Sequence, residues 1–410
     1  MPIIKPFFCI RPRIAYASTI AALPYDVYSR EEAHDIVEKN PLSFLSIDRA
    51  ETNFENDVEP YPSLIYEKAS SLFEQHLKKQ IYIEETEPCL YLYELAMNGH
   101  TQTGIVACSS VDDYINGNIK KHEATLPDKV FDRTCHIETC NSHTGPVFLV
   151  HQKNDVLKSI ITSQKENLPL YDFTSNDRVH HKVYRISEPE IIQHIQRIFS
   201  DIPCSFIADG HHRAAAAVVV AKKHREENPH HTGREEYNFF LSVSFPEDEV
   251  QILDYNRVVS DLNGMTSEEF LEKMKMKFHI VPISTATPPT QKGTFSMLLN
   301  QQWYLCRIPE KLIPDNPVES LDVSVLQNEV LGPILGIHDP KTDRRIDFVG
   351  GIRGLGELEH RCATDAKVAF AMYPTSIQEL INVADHDLLM PPKSTWFEPK
   401  LRSGLFIHAI

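Results

Sequence analysis

The chain has 410 residues, of which 42% are hydrophobic and 24% charged, so it can bury a full core and is long enough for two or three domains. Its formal net charge of −16 argues against a general affinity for nucleic acid or for acidic membrane surfaces. No run is long enough for a membrane helix, and Met1 to Phe8 lacks the pattern of a signal peptide. We therefore expect a cytoplasmic protein with small-molecule partners, and neither nucleic acid nor a membrane among them.

The first part of the chain predicts short apolar runs and helices. Ser29 and Glu32 have the spacing of a capping box, which predicts a helix that begins after Ser29. A second helix is predicted from Pro60 to Gln80, where apolar side chains recur at helical spacing. Before them, Leu23 to Asp26 is predicted as a proline-set turn, with Asp26 either bonded within its own loop or reaching into a site.

The middle of the chain predicts alternating strands and helices. The Asn98-Gly99 pair between two apolar runs predicts a hairpin. Strands are then predicted at 146–150, 179–186 and 205–208, and helices at 155–164 and 188–199. This alternation predicts an α/β or α+β core.

Eight scattered cysteines without a Cys-x-x-Cys pair predict reduced thiols. The local group of Cys135, His136, Cys140 and His143 contains soft metal ligands, but its spacing matches no common zinc motif. A plain loop is the preferred interpretation there, and a metal site is the alternative.

The last third predicts a turn at 256–263, a linker at 282–291 and four helices. These helices are expected at 267–278, 322–331, 366–370 and 377–384. The glycine run from Gly350 to Gly356 follows a predicted strand but fits neither the dinucleotide nor the P-loop spacing. A bulged turn is predicted there, with Arg353 as a candidate ligand contact.

The strongest functional signal is the segment Asp209-Gly-His-His-Arg213, which follows an apolar run and precedes an alanine-rich one. This order predicts a strand, a tight turn and the start of a helix. Unpaired first-turn N–H groups and the helix dipole favour an anion there, and phosphate is the anion we expect Gly210 and Arg213 to hold. Asp209, His211 and His212 add groups that can bind a metal or move a proton beside that phosphate.

Two further segments carry candidate residues. Lys121-His-Glu123 would usually be a solvated charged face, but Glu123 could act as a general base if it lies near a phosphate. In Pro391-Pro-Lys393-Ser394-Thr395, prolines forbid a helix, while an ammonium and two hydroxyls stand together. That combination suits phosphate or carboxylate binding, and packing of a proline-rich tail is the alternative.

These three segments occur in the same order as the corresponding motifs of archaeal free L-serine kinase, which the chain resembles. They are Glu123 in its His-Glu setting, Ile207-Ala-Asp-Gly-His-His-Arg213 and Pro392-Lys-Ser-Thr395. As a whole, from Pro24 to the Trp396-Phe-Glu-Pro-Lys400 ending, the chain is similar to a family of about 400-residue proteins of unknown function related to that kinase. The kinase resemblance covers three short segments, and the family resemblance covers nearly all of the chain.

The resemblance implies an α+β (mixed α/β) fold with a ParB/sulfiredoxin-like nucleotide-binding core. That core is expected at 87–245, with an N-terminal α/β segment at 1–86. A C-terminal α/β domain is expected at 246–410, and its last loop, 390–402, is expected to return to the site. Whether a homodimer forms stays open.

The resemblance also implies a small-molecule kinase that transfers a phosphoryl group from ATP or ADP to free L-serine or a similar hydroxyl compound. Glu123 would be the base, with Asp209 and His212 near Mg²⁺ and the transferred phosphate, and Asp209 as the metal ligand. Gly210, His211 and Arg213 would cradle phosphate. Lys393, Ser394 and Thr395 would close over the nucleotide or the amino acid.

Two other functions compete with the kinase. A ParB-like nucleotide-hydrolysing binding module or switch would use the same turn, but the net charge of −16 and the missing basic helix weigh against DNA as its target. A sulfiredoxin-like reductase would need a cysteine where His211 stands, so its nucleophilic thiol is missing.

Overall fold

The computed structural model describes residues 1–55 and 62–410, and in them helices and strands are mixed in the way that the α+β class requires. The predicted fold class is therefore confirmed. The ParB/sulfiredoxin-like character of residues 87–245 stays a prediction.

The strands are distributed over the whole described chain. They are β1 (Ile4–Lys5), β2 (Cys9–Pro12), β3 (Tyr82–Glu84), β4 (Leu90–Met97), β5 (His100–Ser110), β6 (Ile119–Lys120), β7 (Ser142–His143), β8 (Val147–His151), β9 (Tyr171–Thr174), β10 (His180–Ile186), β11 (Ser205–Asp209), β12 (Phe239–Pro246), β13 (Gln251–Leu253), β14 (Tyr255–Val259), β15 (His279–Ile283), β16 (Thr294–Leu299), β17 (Gln302–Arg307), β18 (Ile346–Gly350), β19 (Val368–Met372), β20 (Trp396–Glu398) and β21 (Ile407–Ala409).

The α-helices alternate with these strands. They are α1 (Ala17–Ile20), α2 (Arg30–Lys39), α3 (Leu45–Asp48), α4 (Pro62–Lys78), α5 (Val111–Ile115), α6 (Pro127–Cys140), α7 (Asp155–Gln164), α8 (Pro189–Asp201), α9 (His211–Glu227), α10 (Ser267–Lys277), α11 (Asp322–Leu326), α12 (Gly354–Thr364) and α13 (Ile377–Asp385). A turn of π-helix, Gln327–Leu331, continues α11.

Contacts among the described residues divide the chain into two compact units. Unit 1 comprises residues 1–121, 125–250 and 399–410, and unit 2 comprises residues 122–124 and 251–398. The predicted boundary after residue 86 falls inside unit 1, and the one after residue 245 falls shortly before the end of its second segment. The predicted final loop 390–402 is divided between the two units.

Unit 1 contains a mixed sheet with the strand order β6-β11-β8-β12-β5-β4-β10-β9, and β1 pairs with β5 beside that path. A smaller sheet has the order β3-β2-β21-β7. The alanines of α9 pack against β8 and β11, with Ala214 and Ala217 almost completely buried. Because these side chains are small, the helix backbone can pack closely against the sheet.

Unit 2 contains a sheet with the order β15-β17-β16-β19-β14-β18, together with the pair β13-β20. Its core joins the sheet to α12 through Leu298, Val349, Leu358 and Ala369. No helix in residues 1–55 or 62–410 combines the length and apolar composition that a membrane crossing needs.

Four sequence predictions are wrong. The predicted bulged turn at 350–356 contains a 3₁₀ turn, Gly351–Arg353, and the start of α12. The predicted turn at 256–263 begins as strand β14, and the predicted helix at 366–370 is largely strand β19. Cys135 and Cys140 lie in helix α6 and not in a loop. Residues 60 and 61 of the predicted helix 60–80 lie outside the described residues, and α4 occupies most of the rest.

Buried histidines of unit 1 make the protein sensitive to acid. Burial lowers the pKa of His143, His151 and His181 to about 3. The folded state therefore keeps these rings neutral, whereas the unfolded chain binds protons near pH 6.5. Their contribution to the free energy of unfolding is present above pH 6.5 and is lost as the pH falls towards 3. The loss is about 1.4 kcal/mol for each histidine and each pH unit.

We expect the urea midpoint of unfolding, measured by circular dichroism, to fall continuously from pH 7 to pH 5. In His151→Gln an amide replaces the imidazole ring, whose Nδ1 lies 2.8 Å from Oγ of Ser244. The amide does not titrate, so the urea midpoint of this variant is expected to depend less on pH. Equal midpoints at pH 7 and pH 5 in the wild type would contradict the burial of neutral rings.

Candidate functional site

The Asp209–Arg213 segment of unit 1 forms a strand, a glycine turn and the first turn of a helix. β11 ends at Asp209, Gly210 is the N-cap residue and α9 begins at His211. The pairing of β11 with β8 shifts register between Ile207 and Asp209, so the ladder is irregular there. This irregularity comes directly before the turn that carries Asp209.

Gly210 is required at this turn for two reasons. Its φ of +93° lies in the left-handed region, which costs a residue with a side chain about 1–2 kcal/mol. A Cβ at this position would also lie 3.0 Å from Nε of Arg213. The glycine thus lets the guanidinium fold back over the turn.

Arg213 ties the helix start to a neighbouring loop of unit 1. Its guanidinium donates to the carbonyl oxygen of Pro146, and its Nη2 lies 3.6 Å from Oδ2 of Asp209. A Cβ on Gly145 would lie 3.4 Å from Nη1 of Arg213. The charge of Arg213 is therefore held in a fixed place beside the first turn of α9.

Asp209 stands between two cations. Nζ of Lys400 lies 3.5 Å from Oδ2 of Asp209, whose side chain is 28% exposed. Burial alone would raise the pKa of Asp209, but Lys400, Arg213 and His211, in that order, outweigh it and hold the pKa at about 2. Lys400 and Arg213 thus place two cations beside this carboxylate at the turn, and such cations favour an anion.

His212 accepts a hydrogen bond through Nε2. The backbone N–H of Leu126 donates to this nitrogen over 3.0 Å, so the lone pair is engaged and the remaining proton of the neutral ring is on Nδ1. Burial lowers the pKa of His212, Asp26 opposes this, and Lys129 and Arg213 reinforce it. The neutral ring offers an N–H donor and links the first turn of α9 to the segment that follows Glu123 in sequence.

Glu123 belongs to the short segment of unit 2 that contains His122, and its side chain is half-buried. Two contacts fix this segment within unit 2. The carbonyl of His122 accepts from the backbone N–H of Met390 over 2.7 Å, and Nε2 of His122 lies 3.3 Å from Oγ1 of Thr395. His122, the residue before Glu123, is thus bonded to Thr395 and to Met390, which directly precedes the loop that carries Lys393, Ser394 and Thr395.

We call residues 391–395 the Lys393 loop. Oγ of Ser394 donates to the carbonyl of Pro391 over 2.7 Å, and the Ser394 carbonyl accepts from Oγ1 of Thr375 over 2.9 Å. The Lys393 side chain is exposed, and its backbone has a φ of +58°, which is rare for a residue with a side chain. The loop therefore has a defined shape with an exposed ammonium.

The predicted site residues fall into two groups. Unit 1 brings Asp209, Gly210, His211, His212 and Arg213 together at one turn, and unit 2 brings the segment of Glu123 to the loop of Lys393, Ser394 and Thr395. Sequence reasoning did not select Lys400 as a site residue. The signal was present in the ending Glu398-Pro-Lys400, but only the tertiary structure pairs this lysine with Asp209.

The metal-ligating capacity of the site is small. Within residues 1–55 and 62–410, no group of three or more His, Cys, Asp or Glu residues is arranged to hold a metal ion. Asp209 does suit Mg²⁺ as a single ligand, since its carboxylate is ionised and Mg²⁺ commonly binds one or two carboxylates together with substrate phosphates and water.

Fold and site together define a mixed α+β protein with a strand–glycine–helix turn at which Arg213 and Lys400 lie beside Asp209. The model of the family "Protein of unknown function (DUF1015)" matches residues 4–324, and the chain belongs to that family. The predicted membership in a family of unknown function is thereby confirmed. A comparison with curated proteins found no match.

Several solved structures are similar to the chain at low identity. SbnI with C-terminal truncation from Staphylococcus aureus is 11% identical, with a TM-score of 0.39, over 73% of this chain and 85% of that chain. A mutant free serine kinase in complex with AMP is 10% identical, with a TM-score of 0.36, over 74% and 92%. A conserved hypothetical protein from Pyrococcus furiosus is 12% identical, with a TM-score of 0.34, over 74% and 94%. These values are too low to assign a shared activity.

Proposed function

We propose that this protein is a small-molecule kinase that transfers a phosphoryl group from ATP or ADP to the hydroxyl of free L-serine or a similar small compound. The observation that carries the proposal is the turn from Asp209 to Arg213. It combines the start of a long helix, a glycine with left-handed backbone and the cations Arg213 and Lys400. These are the properties that bind a terminal phosphate.

Each residue of the turn has a role that its contacts support. The backbone N–H groups of Gly210 and His211, together with Arg213, would bind phosphate oxygens. His212 would donate from Nδ1, because its Nε2 is engaged by Leu126 and cannot accept a proton from the substrate. The ring is thus a hydrogen-bond donor and a positioning group, and the general base must lie elsewhere.

Glu123 is the proposed base. In the reaction, the substrate hydroxyl oxygen attacks the terminal phosphorus, the bond from this phosphorus to the bridging oxygen breaks, and the hydroxyl proton passes to Glu123. The products are the phosphomonoester and the shortened nucleotide, which leaves with the bridging oxygen. Lys393 would bind phosphate or carboxylate through its ammonium. The Ser394 hydroxyl, which donates to the Pro391 carbonyl, would hold the loop in shape, with the Thr395 hydroxyl beside it.

Asp209 would hold Mg²⁺ together with nucleotide phosphates. When bound, this ion would neutralise part of the phosphate charge. Lys400 and Arg213 keep the carboxylate ionised, so it can act as a ligand at neutral pH.

Phosphorus NMR tests the proposal directly. Purified protein with Mg²⁺, ATP or ADP and L-serine is expected to produce a phosphomonoester signal that is absent without serine, and a panel of other hydroxyl compounds defines the acceptor. Release of orthophosphate at the same rate with and without every acceptor would contradict the kinase and favour the nucleotide-hydrolysing switch. Nucleotide that stays intact under all these conditions would contradict both functions.

A further inference from the structure

Arg257 is a buried arginine in the sheet of unit 2. It lies in the middle of β14, between β18 and β19, and only 3% of the residue is exposed. The nearby aromatic contact is the ring of Phe348, whose centroid lies 5.4 Å from the guanidinium carbon. A guanidinium in this position is removed from water, which is costly unless it is well bonded and its charge is compensated.

The partners of Arg257 are neutral. Nη1 donates to the carbonyl of Tyr255, and Nη2 donates to the carbonyl of Lys393 over 3.0 Å. No carboxylate in the described part of the chain forms an ion pair with it. Burial accordingly lowers the pKa of Arg257 to about 10, which still leaves it charged at neutral pH.

The other buried arginines of the described residues differ from Arg257. Arg11 pairs with Glu85 over 2.6 Å and Arg133 pairs with Asp48 over 3.0 Å. Arg402 pairs with Asp177. Among the buried arginines of residues 1–55 and 62–410, Arg257 thus lacks the carboxylate that the others have, although the chain as a whole is strongly acidic.

The contact of Arg257 with the Lys393 carbonyl reaches the Lys393 loop at its strained residue. Lys393 has a φ of +58°, and its ammonium lies 5.5 Å from the ring centroid of Tyr255, the residue whose carbonyl also accepts from Arg257. Arg257 therefore contacts the backbone of the loop and places a second positive charge behind it. In a low-dielectric interior this charge is weakly screened, and its field extends to the loop.

We infer that Arg257 is the positioning residue of an anion-binding element formed by the Lys393 loop, and that the negative charge it lacks is supplied by a phosphate group of the ligand. This inference rests on the proposed function, in which the loop binds a nucleotide phosphate. It adds Arg257 to the site, and it explains why a buried guanidinium has no carboxylate partner in the described part of the chain.

A purely structural role makes the opposite prediction for the ligand-free protein. If Arg257 only pinned the loop, its removal would destabilise the protein with or without ligand. If its charge is compensated only when an anion is bound, replacement by an apolar side chain of similar length changes the stability of the ligand-free protein little, because a desolvated and uncompensated charge is removed. The loss is then seen in anion binding.

The experiment compares Arg257→Met and Arg257→Lys with the wild type by calorimetric titration of ADP and of pyrophosphate, and by the thermal midpoint without ligand. We expect Arg257→Met to bind both anions about tenfold more weakly or worse, with a ligand-free midpoint within about 3 °C of the wild type. Arg257→Lys retains the charge and is expected to recover part of the affinity. Arg307→Met, at the exposed end of β17, removes the same charge from unit 2 and is expected to bind like the wild type.

Each other result has a defined meaning. Equal affinity in Arg257→Met and the wild type, or a ligand-free midpoint that falls well below that range, would overturn the inference in favour of a structural arginine. Arg257→Lys that binds as weakly as Arg257→Met would contradict the role of the charge. Wild-type protein that binds neither ADP nor pyrophosphate would contradict the proposed function itself, which separates the two failures.

Discussion

Replacement of Glu123 by Gln is expected to lower phosphoryl transfer about 10²- to 10⁴-fold while nucleotide affinity stays nearly constant. The amide has the shape of the carboxylate but cannot take the proton of the substrate hydroxyl, and this is the size of effect that removal of a general base produces. The measurement is the initial rate of phosphomonoester formation, combined with calorimetric titration of ADP. Since the substitution is isosteric, the thermal midpoint is expected to be unchanged.

Glu226→Gln is the matched control for this prediction. Glu226 is exposed on the last turns of α9, far along the helix from the His211 end, so its neutralisation is expected to leave the rate unchanged. A Glu123→Gln variant that turns over at the wild-type rate would exclude Glu123 as the base. A variant that loses nucleotide affinity to the same extent as rate would assign Glu123 to binding instead.

Gly210→Ala is expected to weaken nucleotide binding at least tenfold and to destabilise the protein. The left-handed backbone costs alanine about 1–2 kcal/mol, and the new Cβ, 3.0 Å from Nε of Arg213, forces the guanidinium away from the turn. Arg213 would then lose its place beside Asp209 and the Pro146 carbonyl. Calorimetric titration of ADP measures the first effect, and the urea midpoint measures the second.

Gly233→Ala separates backbone strain from damage to the site. Gly233 has a similar φ of +86°, but a Cβ there would meet nothing within 4 Å. The Gly233→Ala variant is expected to lose about as much stability as Gly210→Ala but to bind ADP with wild-type affinity. If both variants kept full affinity, the close fit between Gly210 and Arg213 would have no part in binding.

Much of the secondary structure was predictable because its signals are local. The Asn98-Gly99 turn has positive φ at both residues and joins β4 to β5, as the sequence pair predicts. The capping box of Ser29 and Glu32 is present at the start of α2. Helix α7 spans the residues predicted for it, and α9 begins where the alanine-rich run predicts.

The failures arose where tertiary contacts override local preference. A turn was predicted at 256–263, but Asn256 and Arg257 are buried in β14, where Oδ1 of Asn256 accepts from the backbone N–H of Met372 over 2.9 Å. The apolar run Val368–Met372 is short enough to suit either a helix or a strand, and pairing with β14 and β16 makes it a strand. No local signal distinguishes these outcomes.

By itself, the sequence determined the fold class, the strand–turn–helix character of residues 205–213 and the residue types that suit phosphate chemistry. Only the tertiary structure decided which residues that are far apart in the sequence contact each other. Lys400 meets Asp209 across 191 positions of the chain, and Arg257 meets the Lys393 carbonyl across 136. Turns and helix starts depend on interactions a few residues apart, whereas the pairing of charges depends on how the whole core packs, which no short pattern encodes.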